Sequence, residues 1–482
     1  MSGLLTAIQS SGNAMQAFEQ ALETIGNNVS NSSTPDYASQ SPNLEALPFD
    51  PNEGLPGGVT TGQVQSARDE FAEQNVRQNT SLLGTLEATS QNLSSIQTTF
   101  PVSSDSGIAG ALNTLYQDFS SWSVTPTSPA SQQTIIDDAQ QVAQQFQQAY
   151  ASLNQASTST EQQIQQAVGQ INSYATQLAS YNQQIQNGDI NDAGLDAQIH
   201  STLDNLSEVA DITATQQPDG TWQVLLAGQT PLVIGTQSYA ISTSVSTPPG
   251  EPATVANGNP PTRILDFEGN DITANITQGQ LAGYLQVENN ILPSIIGGAY
   301  QQGSLNQLAQ GVADTVNQIL TSGNISDGPP AVPGIPLFTY NAAAPTSVAS
   351  TIAVNPAVTP GQLAAIQPGP PEVSNGIALQ LAALANPTTA TGEINGLSFT
   401  EFYGSIAAQV GQQASDAQSQ LQVQQQTLAQ AQNLRSQISG VDLNAQAAQL
   451  VQFQAGYQAI AQTVNVLDTL TQDTINMLTL TS

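Results

Sequence analysis

Residues 1–37 read MSGLLTAIQSSGNAMQAFEQALETIGNNVSNSSTPDY, and the spacing of their apolar side chains decides the architecture. Met1, Ile8, Met15, Leu22 and Val29 fall seven apart, Leu4, Phe18 and Ile25 fill the intermediate positions, and Ser11 is the lapse. A period of about 3.5 held over successive heptads predicts a helix that packs lengthwise on other helices. At about 1.5 Å per residue it would be about 45 Å long. The far end of the chain repeats the pattern. Leu443, Leu450, Tyr457, Val464 and Leu478 share one heptad position, with Thr471 as the gap, and Phe453, Ile460 and Leu467 occupy the other. Two matching seams at opposite ends of a chain predict that the ends meet. Each stripe is narrow, so alone in water it buries too little to offset the entropy of ordering.

Further helices are expected between these ends. Ile135, Val142, Phe146, Tyr150 and Leu153 stripe one. Ile164, Val168, Ile171, Leu178 and Ile185 stripe a second, which stops near Asn187-Gly188. Leu308, Val312, Val316 and Ile319 stripe a third, and a fourth runs from Phe402 to Ile438 with an alanine-rich seam, broken by Gly440. The segment 33–65 carries Pro35, Pro42, Pro48, Pro51 and Pro56 and reads as an extended, turn-rich connector. Residues 205–275 hold a hairpin signal, Pro218-Asp219-Gly220, followed by Trp222, Val224 and Leu226 alternating on one face. Residues 324–395, rich in Pro and Gly, read as a second β-rich insertion. The fold class is therefore mainly α, with long coiled-coil-like terminal helices, an elongated helical-bundle rod and one or two β-rich insertions, α+β overall.

Composition excludes several functions. The chain has 482 residues, a formal charge of −32, and only four cations, Arg68, Arg77, Arg263 and Arg435. A surface this negative repels phosphate backbones and anionic headgroups, which argues against nucleic acid. There is no cysteine and one histidine, which removes thiolate chemistry and a histidine metal cluster within one chain. No apolar run approaches the length of a membrane span, and the opening residues lack the basic and apolar regions of a secretory signal.

Few residues suggest catalysis. His200, with Asp196 and Asp204 one turn away on either side, could form a dyad but reads more simply as a solvated helix face. Asp189–Gly194 resembles the start of a calcium loop, but Ala193 and His200 stand where oxygen ligands belong, so it reads as a loop and helix cap. Asp266, Glu268 and Asp271 around a turn could serve glycoside chemistry, with generic spacing. Trp122 and Trp222 read as core residues. No cofactor is expected.

The residues after the first helix carry a resemblance. Ile25–Tyr37 resembles the N-terminal signature of flagellar rod, hook and hook-associated proteins, NNIAN followed by TPGY, with Asn27, Asn28, Asn31, Thr34, Pro35 and Tyr37 in place and Asp36 where the glycine stands. Ser439-Gly440-Val441-Asp442-Leu443-Asn444, followed by Leu450, Phe453-Gln454 and Tyr457, resembles the end of the hook-associated protein 1 family, the junction proteins between hook and filament. The stretch GGVTTGQVQSARDEFAEQNVR at 57–77 is similar to that family's interior, with Arg68, Asp69, Phe71, Gln74 and Arg77 at matching places. Where the family often carries Leu-x-Asp-x-Arg-Asp, this chain has Ile199-His200 for the Arg-Asp pair.

The resemblance implies a structural, non-enzymatic flagellar protein. Residues 1–32 with 441–482 would form an inner tube, and 66–204 with 276–323 and 396–440 a helical rod. The excursions 205–275 and 324–395 would point outward. Leu4, Ile8, Met15, Phe18, Leu22, Ile25, Val29, Leu443, Leu450, Phe453, Tyr457, Ile460, Val464 and Leu467 would serve subunit assembly. The implied partners are sister copies in a ring at the junction, hook protein, hook-associated protein 3 and an export chaperone. The implied location is the extracellular flagellum, reached without a cleavable signal. The alternatives are hook-associated protein 3, a flagellin-like subunit, or a cell-wall hydrolase carried in a β insertion.

Overall fold

The structure, a computed structural model, describes residues 2–50, 55–101, 103, 105–189 and 192–480. Met1, Pro51 and the Ile190-Asn191 portion of the acidic loop lie outside the described residues, as does the side chain of Leu478. The described residues are 61% helical and 12% strand. In order the helices are α1 (Ser2–Ser30), α2 (Glu70–Gln97), α3 (Gly107–Val124), α4 (Pro129–Gln184), α5 (Ala193–Val209), α6 (Gln280–Gln286), α7 (Leu292–Ile296), α8 (Ser304–Ser322), α9 (Val348–Thr351), α10 (Gly376–Ala382), α11 (Phe399–Ser439) and α12 (Leu443–Leu480). Among the described residues, no helix is long and apolar enough to cross a membrane.

The stripes expected at 135–153 and 164–185 belong to one 56-residue helix, α4. Between them Asn154–Gln163 contains neither Gly nor Pro, and buried Thr160 donates to Asn92 of α2 at 3.1 Å. Nothing local breaks the helix, and tertiary contact holds its polar middle. Ser128 caps the start, with Pro129 in the first turn. The capping box of Ser398 and Glu401 starts α11.

Two apolar cores sit on opposite halves of α4. The first gathers Leu112, Phe119 and Trp122 of α3, Ile135, Val142 and Phe146 of α4, Leu308 and Val312 of α8, and Phe399 and Tyr403 of α11. The second gathers Ile164, Ile171 and Leu178 of α4, Leu203 and Leu206 of α5, and the sheet. That sheet has four strands. Counting the connector strands β1 (Gln40–Ser41), β2 (Leu44–Ala46), β3 (Phe49–Asp50), β4 (Leu55–Pro56), β5 (Val59–Thr61) and β6 (Gln65–Ser66) first, they are β7 (Ile212–Gln216), β8 (Trp222–Leu226), β9 (Thr230–Ile234) and β10 (Gln237–Ser238), in the order β10-β9-β8-β7. The alternation at Trp222, Val224 and Leu226 faces the core. Trp122, whose indole N–H donates to the Pro126 carbonyl, and Trp222 are both buried.

Residues 324–395 carry less strand than expected. Their ladders are pairs of two or three residues, 324–326 with 332–333 and 338–339 with 353–354. Sheets this short have no face to bury, and the segment instead sends Phe338, Val348, Ile352, Leu363 and Ile377 into the first core.

Candidate functional site

The terminal helices run antiparallel. Asn28 meets Gln446, Phe18 meets Phe453 with ring centroids 5.8 Å apart, and the Tyr457 hydroxyl donates to Glu19 at 3.0 Å. As numbers fall on α1 they rise on α12. Leu4, Ile8, Met15, Phe18 and Leu22 are part-buried along this seam, as are Leu450, Phe453, Tyr457, Ile460, Val464 and Leu467. Ile25 is buried, whereas Val29 and Leu443, at the end of the seam next to the crossings, are exposed.

A second face of α1 passes unnoticed in the heptad reading. Ala14, Ala17 and Ala21 are buried on the side that Ser10 and Asn28 face. There the connector folds back as an antiparallel ribbon, β1 on β6, β2 on β5 and β3 on β4. The approach is close enough that a Cβ on Gly58 would lie 2.5 Å from the Ser10 hydroxyl. Small residues permit that approach. Prolines and glycines mark the connector as extended but do not reveal what it lies on.

α12 has a second apolar stripe, opposite the first. Ala448, Val451, Ala455, Ala459, Val466, Leu470 and Met477 are exposed, at spacings of three, four, four, seven, four and seven residues. Val451 is 66%, Val466 59% and Met477 63% exposed. Those helical spacings were available in the sequence, but there Leu470 and Met477 read as a drift of the inner register beyond Leu467, whereas the structure leaves both exposed.

Two polar hubs lie at the base of this pair: the first ties its two helices to the connector, the second ties the chain's crossings to the body. The first is Asn28, fully buried. Its amide donates to the Gln40 carbonyl at 2.7 Å and to Gln446 at 3.0 Å, and its oxygen accepts from the Tyr37 hydroxyl and the Gln40 N–H. Asn27, Asn31 and Thr34 form the adjoining chain of side-chain bonds that closes α1, and Pro35 follows in the turn. Asp36 takes the left-handed region, φ 57°, which Asp tolerates better than most residues. At the other crossing Gly440 ends α11 in an extended conformation, and a Cβ there would sit 2.4 Å from the Ser436 carbonyl.

The second hub is Glu73 of α2, whose side chain is 1% exposed. Its carboxylate bridges Arg68 at 2.5 Å and Arg435 at 3.1 Å. Arg68 also reaches Asp196 at 2.8 Å and the Asp36 carbonyl at 2.7 Å. Arg435 also pairs with Asp36 at 2.9 Å and Asp204 at 2.6 Å. Asp69 caps α2 and its N–H donates to Ser439. Phe71 is 84% exposed beside this knot. Three of the chain's four arginines converge here, since Arg77 also lies against it; the fourth, Arg263, pairs with Asp271. Burying so many charges costs several kcal/mol per ion unless each is paired. Burial works against the charge of Arg435, but Asp204, Glu73 and Asp36 outweigh it. Burial also pushes Asp204 up to about 6.

His200 sits inside this knot, 1% exposed, which corrects the expectation of a solvated helix face. α5 turns it toward α2 and the sheet, edge-on to Trp222 at 5.0 Å. Burial, then Arg68, Arg77 and Arg435, lower its pKa well below the ordinary value. The ring is therefore neutral at pH 7, and Nδ1 accepts from Arg77 at 3.4 Å. A neutral imidazole thus takes the Arg77 hydrogen bond inside the knot. Its other charged neighbours are Glu73 at 3.9 Å and Asp196 at 3.7 Å.

The remaining candidates are local structure. Asp192 caps α5, accepting from the Gly194 and Leu195 N–H groups. Asp266 accepts from the N–H groups of Glu268 and Asn270, and the Asn270 side chain helps hold it below the usual carboxylate range. A general acid for glycoside chemistry needs the opposite shift. Among the described residues, no group of three or more His, Asp or Glu side chains is placed to hold a metal ion.

Comparison with known proteins agrees with this geometry. Residues 93–338, a little over half of the chain, match the family described as the flagellar hook-associated protein FlgK helical domain. Residues 8–37 match the flagella basal body rod protein family. The chain is 23% identical over 516 residues to flagellar hook-associated protein 1 of Bacillus subtilis (strain 168), covering 99% of each. Its fold is similar to that of the flagellar hook junction protein FlgK from Burkholderia pseudomallei, with a TM-score of 0.65 and 16% identity over 76% of this chain and 100% of that one.

Proposed function

The chain belongs to the family of the flagellar hook-associated protein FlgK, and from that premise we propose that it is a structural subunit of the bacterial flagellum, built into the junction between hook and filament. The observation that carries the reading is the two-faced character of α12. One apolar stripe packs on α1; the opposite stripe, Val451, Val466, Leu470 and Met477, faces solvent in the single chain. Fully burying such a side chain is worth about 1.5–3 kcal/mol, so covering the stripe offers on the order of 5 kcal/mol per subunit. A contiguous exposed stripe of this kind is characteristic of interaction surfaces. The occupants that satisfy it best are the terminal helices of neighbouring copies, which carry the same complementary pair of faces.

In this reading the subunits close into a ring whose inner wall is made of terminal pairs, with hook protein on one side and hook-associated protein 3 on the other. Before assembly an export chaperone covers α12. The protein leaves the cell through the flagellar export route and resides on the extracellular flagellum. No chemical step is required of it; burial of matched seams does the assembly.

The test replaces the outer stripe. Val466→Asp combined with Leu470→Asp should leave the folded body intact by circular dichroism, yet leave cells with hooks and no filaments, shedding flagellin into the medium. Normal filaments built on this variant would sink the proposal.

A further inference from the structure

Among the described residues, neither α1 nor α12 packs lengthwise on any helix of the body: α1 lies on α12 and the connector ribbon, and α12 lies on α1. The angle at which the body carries the terminal pair is therefore set where the chain crosses between them. Both crossings, residues 31–40 and 436–442, meet at the second hub. Ser39 donates to the Ser439 carbonyl at 2.8 Å, so the crossings touch each other directly. Arg435, immediately before the second crossing, pairs with Asp36 of the first, with Asp204 of α5 and with Glu73. Arg68, at the return from the connector, holds the Asp36 carbonyl and the other oxygen of Glu73. One buried carboxylate thus clamps the two arginines that grip the turn after α1.

We propose that Glu73 is a positioning residue for assembly: by clamping Arg68 and Arg435 it fixes the orientation of the terminal pair on the body, without itself touching a neighbouring subunit. This rests on the assembly reading above. A buried clamp suits the role. Exposed ion pairs are screened by salt and weakly directional, whereas a desolvated carboxylate with a guanidinium on each oxygen holds both partners in fixed geometry. Glu73 lies inside the knot, whereas the outer stripe of α12 lies on exposed helix; a defect at Glu73 therefore acts through geometry.

The chain lacks native cysteine, so two spin labels can be placed cleanly, at Gln426→Cys on α11 and Gln452→Cys on α12, both exposed. In the full-length monomer the distance distribution should be a single narrow peak. Glu73→Gln keeps the shape but removes the charge that both arginines share, and should broaden the peak at least twofold. Asp36→Asn, which retains a residue tolerant of the left-handed turn, should broaden it less. In cells Glu73→Gln should lower incorporation into junctions about tenfold. If Glu73→Gln folds poorly, Asp36→Asn alone decides the matter. An unchanged narrow peak in the folded variants would overturn the proposal even if assembly failed. Normal assembly of the outer-stripe variant would instead overturn the assembly reading and leave the distance result standing.

Discussion

The body and the terminal pair are both helical, yet they are closed in different ways. In the body, Leu112, Leu115, Phe119, Trp122 and Phe146 are fully buried, surrounded on every side by α3, α4, α8, α10 and α11. In the pair, Leu450, Phe453, Ile460 and Leu467 are only part-buried by one neighbour, and the opposite face of α12 has no neighbour among the described residues. A core closed on all sides is a finished structure. A seam closed on one side leaves apolar surface uncovered, which the proposed reading covers with neighbouring copies. On the proposed reading the body supplies stability and the pair supplies assembly, and a polar link suits the junction between them. Hydrogen bonds and ion pairs are directional, so Glu73 between Arg68 and Arg435 can set a geometry that a sliding apolar contact would not.

The strongest challenge to this contrast is Trp122→Ala. Emptying a fully closed site should cost about 3–5 kcal/mol of body stability, read from the urea midpoint, and a cost below about 1 kcal/mol would mean the body is not the stable element. Next comes Asn28→Ala, which strands the Tyr37 hydroxyl, Gln446 and the Gln40 N–H. It should cost about 1–3 kcal/mol, confined to the pair. α12 should become sensitive to protease while the body midpoint stays put. A matching drop in the body would show that the two regions melt as one.

The smallest effect sharpens the contrast through pH. Burial, with Glu161 nearby, pushes Glu288 up to about 7, and burial with Asp118 beside it pushes Asp138 up to about 7. Burial pushes Asp204 up to about 6. A carboxyl with a raised folded pKa binds its proton more readily when folded, so stability rises as pH falls from about 7 toward the unfolded value near 4. His200, lowered in the fold, works the other way below its ordinary value near 6.5. Three groups against one, all of them in the body, should make its urea midpoint higher at pH 5.5 than at pH 8. Glu288→Gln should flatten that rise and stabilise the protein at pH 8 by on the order of 1 kcal/mol. A midpoint that falls on acidification would refute the assignment.

Much of this was legible before any coordinates. Heptads at both ends specify the inner seam because an α-helix maps a seven-residue period onto one face. The hairpin at 218–220 and the core tryptophans follow from local chemistry in the same way. The outer stripe of α12 was legible too, in the recurrence of Val451, Ala455, Ala459, Val466 and Leu470, but two apolar faces on one helix blur each other's period. The polar knot was not legible, apart from a compositional hint. A lysine-free chain with four arginines must place them somewhere, and three of them lie in one buried site.

By itself the amino-acid sequence determined the helical periods, the turns and the family signature, since these depend on residues a few positions apart. Only the tertiary structure decided that His200 is buried and neutral, that 324–395 feeds the first core, and that Glu73 holds both crossings. Asp36 and Arg435 are 399 residues apart. No period links such a pair, and whether a polar side chain is solvated or buried depends on what folds over it.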